Sequence, residues 1–421
     1  MKTAIIVGVL LPNDDAKLLQ DDLTELESLL KTLGIVVVGQ IVQKRAKLTP
    51  NCLIGTGKVD EIRDIARDLG AGILVVDREL SPPQVRNLEL MTKCKIMDRG
   101  GVILDIFSQN ARTTAAKTQV EIARLEMMLP RIVGQWTHLH RQGGGGAVGR
   151  SDGEKQIEVD RRRARDRIIK LKEQLLLISR DRVTQSKARR HEIKVALVGY
   201  TNSGKTTIMN ALTNGNFLAK DALFATLDSN VRTIEATSRP KMLLSDTVGF
   251  IRNLPHTLVE SFKSTLDHVL EADLLLLVVD IAHENYQSQL ETTKGVLAEI
   301  GASDIPVIHV FNKIDQVEDV FMERILKHAY PGSLCISAHK TSDTHRLREA
   351  VYKFFEVNFI HCKFAVPSTD IAGVSLVYQN CTILSADYER QNLVVFDVHV
   401  TKDTYPKLAP YRLQTEEAST L

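Results

Sequence analysis

Ile193-Lys194-Val195-Ala196-Leu197-Val198 runs directly into Gly199-Tyr200-Thr201-Asn202-Ser203-Gly204-Lys205-Thr206, and this junction decides the fold. A short apolar run ends in a loop of the form GxxxxGK[ST], and a helical pattern starts beyond it at Thr207. That is the strand–loop–helix context phosphate binding requires. Glycines let backbone N–H groups wrap phosphate oxygens, Lys205 neutralises the β and γ oxygens, and the Thr206 hydroxyl suits Mg²⁺. The helix N-terminus adds its partial positive charge. Alone, the loop specifies a nucleoside triphosphate and Mg²⁺, but no base.

The base is specified downstream. Asn312-Lys313-Ile314-Asp315 follows the apolar run Val307–Phe311. The Asp315 carboxylate can accept from both N1–H and the 2-amino group of guanine, a pair adenine does not offer. Lys313 can lay its aliphatic stem along the base. Ser337-Ala338-His339 follows another short strand and can offer the Ala338 N–H to guanine O6. Asp246-Thr247-Val248-Gly249 ends the run Met242–Ser245; Asp246 is read as holding Mg²⁺ through water and the Gly249 N–H as sensing the γ-phosphate. Thr226, in Phe224-Ala225-Thr226-Leu227-Asp228, is placed to complete the Mg²⁺ shell in the triphosphate state alone. The expected ligand is therefore GTP or GDP. Gly199 to Thr207, Phe224 to Leu227, Asp246 to Gly249, Asn312, Lys313, Asp315 and Ser337 to His339 are its expected contacts. Lys205, Thr226 and Gly249 are the expected catalytic groups.

These residues resemble the translation-factor-like GTPases. Phe250 stands after DTVG where many such enzymes carry a water-orienting Gln. An apolar ring cannot orient water, so backbone, Thr226 or an outside partner must. Asn202 occupies the position that potassium-dependent members of the Era/Obg branch use for K⁺; an ordinary loop Asn is the alternative.

Outward from the loop, strand and helix patterns alternate from Glu192 to about Phe355, which predicts a doubly wound α/β domain over 191–362. The rest, 363–421, reads as a small α+β domain with strand-like runs at Ile371–Val377 and Asn392–Val400. Upstream, strands at Thr3–Leu11, Ile35–Val42 and Gly72–Asp77 alternate with helices at Asp15–Leu33, Lys58–Leu69 and after Ser81-Pro82-Pro83, where Ser suits the N-cap and Pro the first turn. This predicts a small α/β domain over 1–110. Gly55-Thr56-Gly57-Lys58 lacks full phosphate-loop spacing and reads as a tight turn before a helix.

Residues 111–190 differ in character. Thr113–Leu129 carries a helical stripe at Thr118, Ile122, Leu125 and Leu129, with Pro130 expected to end or kink it. A second stripe runs through Ala164, Ile168, Leu171, Leu175 and Ile178. Two narrow seams joined by a glycine-rich stretch predict a long antiparallel helical hairpin with a tip loop at 143–153. From Asp160 to Lys194, thirteen Lys/Arg face five Asp/Glu, a net +8 in a chain whose total is only +2. Such a probe can enter a cavity lined with phosphates. A solvated charged helix pair with a loose linker is the bland alternative.

Composition agrees with a water-soluble chain. The 421 residues are 43% hydrophobic and 25% charged, with five scattered cysteines that form no CxxC pair. That argues for a reducing cytosol and against a disulfide framework or structural zinc. The apolar start is read as a buried strand rather than a signal peptide, and Leu274–Val279 falls far short of the roughly 18 residues of a membrane span.

The stretch Arg131-Ile132-Val133-Gly134-Gln135-Trp136-Thr137-His138-Leu139-His140-Arg141-Gln142 with Gly143, Gly144, Gly145, then Gln156-Ile157-Glu158-Val159-Asp160-Arg161-Arg162, resembles the signature of the HflX-type GTPases. So does Leu53-Ile54-Gly55-Thr56-Gly57-Lys58. One departure stands out: the family usually reads GPGETQ where this chain has Ser151-Asp152-Gly153-Glu154-Lys155-Gln156. Losing the Pro and one Gly changes loop stiffness, and Asp152 places an anion in a loop expected to approach RNA. The resemblance implies a GTPase, monomeric when free and slow alone, that binds the 50S ribosomal subunit and its 23S rRNA, is stimulated by it, and splits or rescues stalled ribosomes under stress. Arg131, Trp136, His138, His140, Arg141, Gly143, Gly144, Gly145, Gly146, Lys155, Arg161, Arg162 and Arg163 are the expected RNA contacts. The expected location is the cytoplasm, with loose membrane association left open. The rivals are an accessory GTPase acting on tRNA or in ribosome assembly, and a small-molecule kinase, which Asp315 opposes.

Overall fold

A computed structural model describes residues 2–135, 148–187, 192–213, 215, 223–224, 230–234, 241–253, 263–356, 359–388, 392–401 and 404–413. The chain clusters into two units, one of 1–184 with 220–228 and 248–267, the other of 185–219, 229–247 and 268–421. No helix among the described residues is long and apolar enough to cross a membrane.

The first unit opens with β1 (Lys2–Leu10), α1 (Ala16–Thr32), β2 (Ile35–Lys44), α2 (Thr56–Asp68), β3 (Ile73–Val76), α3 (Pro82–Thr92), β4 (Lys95–Asp98) and α4 (Arg99–Asn110). Its four strands form a parallel sheet in the order β2-β1-β3-β4. The apolar start is strand β1, paired on both sides, with Ala4 to Val7 wholly buried. The Asp15 carboxylate caps α1 by accepting from Lys17 N at 2.9 Å, and Leu23, Leu26, Leu29 and Leu30 give that helix its buried stripe. Gly34, just past the helix, takes φ +71°, the left-handed conformation that glycine adopts without steric cost. The sequence reading had not marked β4 or α4.

The helical hairpin follows as α5 (Thr114–Gln135) and α6 (Val148–Lys187). Ile122, Ile168 and Leu171 are buried in its seam, with Leu125, Leu129 and Leu175 packed against them. Glu121 pairs with Arg167 and Glu126 with Lys172, each at 2.8 Å. Two expectations are corrected. Of the end or kink expected at Pro130, the end does not occur: α5 runs on to Gln135, and its packing on α3 and α4 outweighs one lost backbone hydrogen bond. The glycine-rich tip is shorter than 143–153, because α6 already begins at Val148 and takes Gly149 and Gly153 into a 40-residue helix.

The second unit builds a mixed six-stranded sheet from β5 (Ile193–Gly199), β6 (Asn230–Thr233), β7 (Met242–Asp246), β8 (Leu274–Asp280), β9 (Val307–Asn312) and β10 (Leu334–Cys335), in the order β10-β9-β8-β5-β7-β6. All pairs are parallel except β6 with β7. Helices α7 (Lys205–Thr213), α8 (Lys263–Leu270), α9 (Tyr286–Glu299), α10 (Met322–Ala329) and α11 (Thr341–Glu356) connect the strands. In such sheets ligands bind beyond the carboxyl ends of the strands, where β5, β7, β8 and β9 deliver Gly199, Asp246, Asp280 and Asn312.

The chain closes with β11 (Phe359–Pro367), α12 (Ile371–Asn380), β12 (Thr382–Asp387), β13 (Leu393–Thr401) and α13 (Tyr405–Leu408). The three strands pair antiparallel in the order β11-β13-β12. The strand expected at Ile371–Val377 is helix α12. Asp370 caps it by accepting from Gly373 N at 2.9 Å, and the run buries Gly373 and Val377, four residues apart on one helical face.

Pro130 is exposed, so replacing it removes little packing. Pro130→Ala is expected to raise stability by about 1–3 kcal/mol through the restored hydrogen bond. An unchanged urea midpoint would show that α5 bends there to fit its neighbours.

Candidate nucleotide-binding site

The loop after β5 is shaped by two close approaches. Gly199 has φ +153°, and a Cβ there would lie 2.2 Å from the Val278 carbonyl oxygen on β8. At Gly204, with φ +94°, a Cβ would lie 2.2 Å from Asn312 Nδ2. Neither position admits a side chain. Between them Asn202 is exposed at φ +60°. Thr201 Oγ1 and Ser203 Oγ are buried without a hydrogen-bond partner among the described residues, the condition a bound phosphate relieves.

Lys205, the first residue of α7, is 6% exposed, and its Nζ donates to the Gly199 and Tyr200 carbonyls at 3.1 and 2.7 Å. Burial lowers its pKa to about 8, with the nearby Asp246 carboxylate opposing the shift. One residue on, Thr206 Oγ1 donates to Asp246 Oδ2 at 2.7 Å. A hydroxyl and a carboxylate so close are hard oxygen donors that fit a divalent cation such as Mg²⁺. The Thr247 hydroxyl faces the other way and donates to Leu197 O at 2.6 Å, tying β7 to β5.

Asn312 joins the phosphate loop to the base loop. Its Nδ2 donates to Ser203 O at 2.9 Å and its Oδ1 accepts from Ala338 N at 3.1 Å. The Ala338 N–H, expected on guanine O6, is therefore engaged with Asn312 in this structure. Lys313, at φ +64°, pairs with Asp280 at 2.6 Å, which holds its stem in place. Asp315 sits exposed in the 3₁₀ turn Ile314–Gln316. A hydrogen bond from Ser337 is the main cause holding its carboxyl below the usual carboxylate range, so it is ionised and oriented to accept. Ser337 is in turn fixed by its N–H to Asp343 Oδ2 at 2.9 Å, and His339 is exposed at the rim.

Other expected residues lie in the first unit. Phe224 is 2% exposed, its ring 4.7 Å from that of Phe107 and nearly perpendicular to it. Gly249 is buried in the run Val248 to Ile251. Arg131 pairs with Asp98 at 2.9 Å, Arg161 is half-buried, and Arg162 and Arg163 are exposed on α6. Ala225, Thr226, Leu227, Trp136, His138, His140, Arg141, Gly143, Gly144, Gly145, Gly146 and the Lys155 side chain lie outside what is described. Sequence reasoning missed Asp280 and Asp343. Asp280 ends an apolar strand just as Asp246 does, and that signal could have found it.

A phosphate loop, a hydroxyl–carboxylate pair and an ionised carboxylate in the turn after β9 define a P-loop GTP-binding protein. Family models described as GTP-binding GTPase N-terminal, GTP-binding GTPase Middle Region and 50S ribosome-binding GTPase match residues 20–108, 110–189 and 194–313. The GTPase HflX of Gluconacetobacter diazotrophicus is 39% identical over 93% of this chain and 94% of its own. That of Flavobacterium psychrophilum is 42% identical over 87% and 95%, and that of Escherichia coli 44% over 71% and 70%. The chain belongs to the HflX GTPase family. A GTP-binding protein from the archaeon Sulfolobus solfataricus, solved with GDP, matches at 26% identity and TM-score 0.45, covering 84% of this chain and 98% of that one.

The Lys205 pKa carries a testable consequence. Nucleotide phosphates favour its charged form, so above pH 8 binding must take up a proton. GDP affinity should fall as pH rises from about 8 toward the free-lysine value of 10.5, by up to about tenfold per unit. In the ligand-free chain the unfolded state holds the extra proton across that window, so stability rises with pH there. A GDP titration flat from pH 8 to 9.5 would show Lys205 already fully charged.

Proposed function

We propose that this chain hydrolyses GTP and binds the large (50S) ribosomal subunit, acting in the cytoplasm to split or rescue stalled ribosomes under stress. The observation that carries the reading is the coexistence, in one chain, of a phosphate-loop site braced to the base loop by Asn312 and a long basic helix in a hairpin. The match of residues 194–313 to a model described as a 50S ribosome-binding GTPase supports it. In this reading 1–110 and the hairpin 111–190 meet 23S rRNA, 191–362 is the GTPase domain, and 363–421 is an appended module. Exposed Arg162 and Arg163 would meet phosphates, and Trp136, His138 and His140 would stack on unpaired bases.

In hydrolysis the chain's task is positioning and charge neutralisation. Lys205 binds the β and γ oxygens, Asp315 and the Lys313 stem hold guanine, and Gly249 donates its N–H to the γ-phosphate. Thr206, Asp246 and Thr226 would hold Mg²⁺, which when bound neutralises phosphate charge. Phe250 is 3% exposed and apolar, so it orients no water. Turnover is then slow alone and rises on the ribosome. Asn202, exposed in a left-handed conformation, would offer its amide oxygen to K⁺.

Sedimentation with purified 50S particles over a salt series tests the partner. Pelleting should require a non-hydrolysable GTP analogue and weaken steeply with salt. Binding to free tRNA in preference to 50S would favour the accessory-GTPase alternative. Asp315→Asn should shift preference from GTP toward xanthosine triphosphate by at least about tenfold, since the loss of a charge-assisted pair costs more than 1.4 kcal/mol. An unchanged preference would remove Asp315 from the base site.

A further inference from the structure

We propose that the N-terminal layer latches both sensor loops of the nucleotide site and couples them to the helical hairpin through α4, with Asp22 as the central positioning residue. The latch rests on the GTP-binding reading above.

Arg252 lies three residues after Gly249 in the chain. Its Nη1 donates to Asp22 Oδ1 on α1 at 2.8 Å, with the two side chains 15% and 11% exposed. The neighbouring Asn253 Nδ2 reaches Asp22 Oδ2 at 3.4 Å. The other sensor loop is held at Phe224, whose ring packs on Phe107 and whose carbonyl accepts from Asn110 Nδ2 at 2.7 Å. Both anchors are left-handed, Phe224 at φ +56° and Asn253 at φ +55°. A bulky residue keeps that conformation only where its surroundings impose it. Here the surroundings are α1 and α4.

Helix α4 touches Phe224 directly and the Asp22 that holds the second anchor. At its C-terminal end Phe107 and Asn110 hold Phe224. At its N-terminal end Arg99, 2% exposed, donates to the Asp22 carbonyl at 3.2 Å and pairs with Asp77 at 2.9 Å and with Glu25. The preceding residue, Asp98, accepts from Arg131 of α5 at 2.9 Å. Charge-assisted bonds thus join Arg252 to the Asp22 carboxylate, Arg99 to the Asp22 carbonyl and Arg131 to Asp98, and the Asp98–Arg99 peptide bond links the last two into the hairpin. Buried ion pairs contribute little net stability compared with apolar packing; their best-attested use is in fixing one arrangement against another. A γ-phosphate engaging the Gly249 N–H acts three residues from Arg252, so the latch and the nucleotide bias each other reciprocally.

The test uses the full chain with fluorescent GDP and a non-hydrolysable GTP analogue, reading both dissociation constants and amide hydrogen exchange over residues 99–131. In the unaltered protein, exchange in α4 and α5 should differ between the two nucleotides. Asp22→Asn should abolish that difference and change the ratio of the two dissociation constants at least about fivefold, the low end of allosteric coupling. Asn253→Gly, at an exposed position where glycine accepts the backbone angle, should move the ratio the same way by a smaller factor and does not depend on Asp22→Asn folding. Normal nucleotide binding with identical exchange in both states, or a ratio within twofold of the unaltered protein in both variants, would overturn the latch alone. A chain that binds neither nucleotide would overturn the GTP-binding reading, and the latch with it.

Discussion

The side-chain amide of Asn312 is the constraint on which the nucleotide site depends. It is 2% exposed and shared between two backbones, donating to Ser203 O and accepting from Ala338 N. One planar group thereby fixes the separation between the loop for phosphates and the loop for the base. Both hydrogen bonds are buried, where losing one partner leaves the other group unsatisfied at a cost of about 1–3 kcal/mol. Gly204 completes the constraint, because any side chain there would displace the amide. The same Asn312 ends β9, so a register fixed by sheet pairing sets its position.

Around that brace the protein tolerates charges that an apolar core would exclude. Lys205 is buried against carbonyl oxygens, and the Asp246 carboxylate pulls its pKa back up. Such a site costs the free protein stability, and an anionic ligand recovers it. The N-terminal layer takes the opposite course. There burial pushes the Asp77 carboxyl up while the Arg99 guanidinium pulls it down, and the Arg99 terminal nitrogens also reach Glu25 and the Asp22 carbonyl. Buried charge awaits a ligand in the first case and is internally matched in the second.

How legible each part was follows from the range of the interactions. The phosphate loop, Asp246, Asp315 and the strands leading to them were readable because each joins an apolar run to a polar residue at its end. Helix α12 was misread because Ile371 to Val377 is apolar enough for either element, and what decides is the Asp370 cap with burial at i and i+4. Pro130 misled for the same reason in reverse: a local rule met tertiary packing on α3 and α4. Arg99 and Asp22 carried no local signal at all, since their partners stand 22 to 231 residues away in the chain. The Ala338 N–H was assigned to guanine from motif order, yet only the fold reveals that Asn312 lies within reach of it.

Left-handed backbone marks where these constraints act. Seven non-glycine residues have positive φ among the described residues, and four of them, Asn202, Phe224, Asn253 and Lys313, fall in nucleotide loops or their anchors. Glycine would adopt each angle at no steric cost, but it would bring no side chain. Asn202 offers an amide, Lys313 a stem held by Asp280, Asn253 a donor for Asp22, and Phe224 a ring for Phe107. At Lys313, Asn253 and Phe224 the strain of about 1–2 kcal/mol is kept because the side chain makes a contact glycine could not. For Phe224, the most bulky of the four, the burial of an aromatic ring outweighs that strain, so the loop stays bent only as long as α4 is there to receive it.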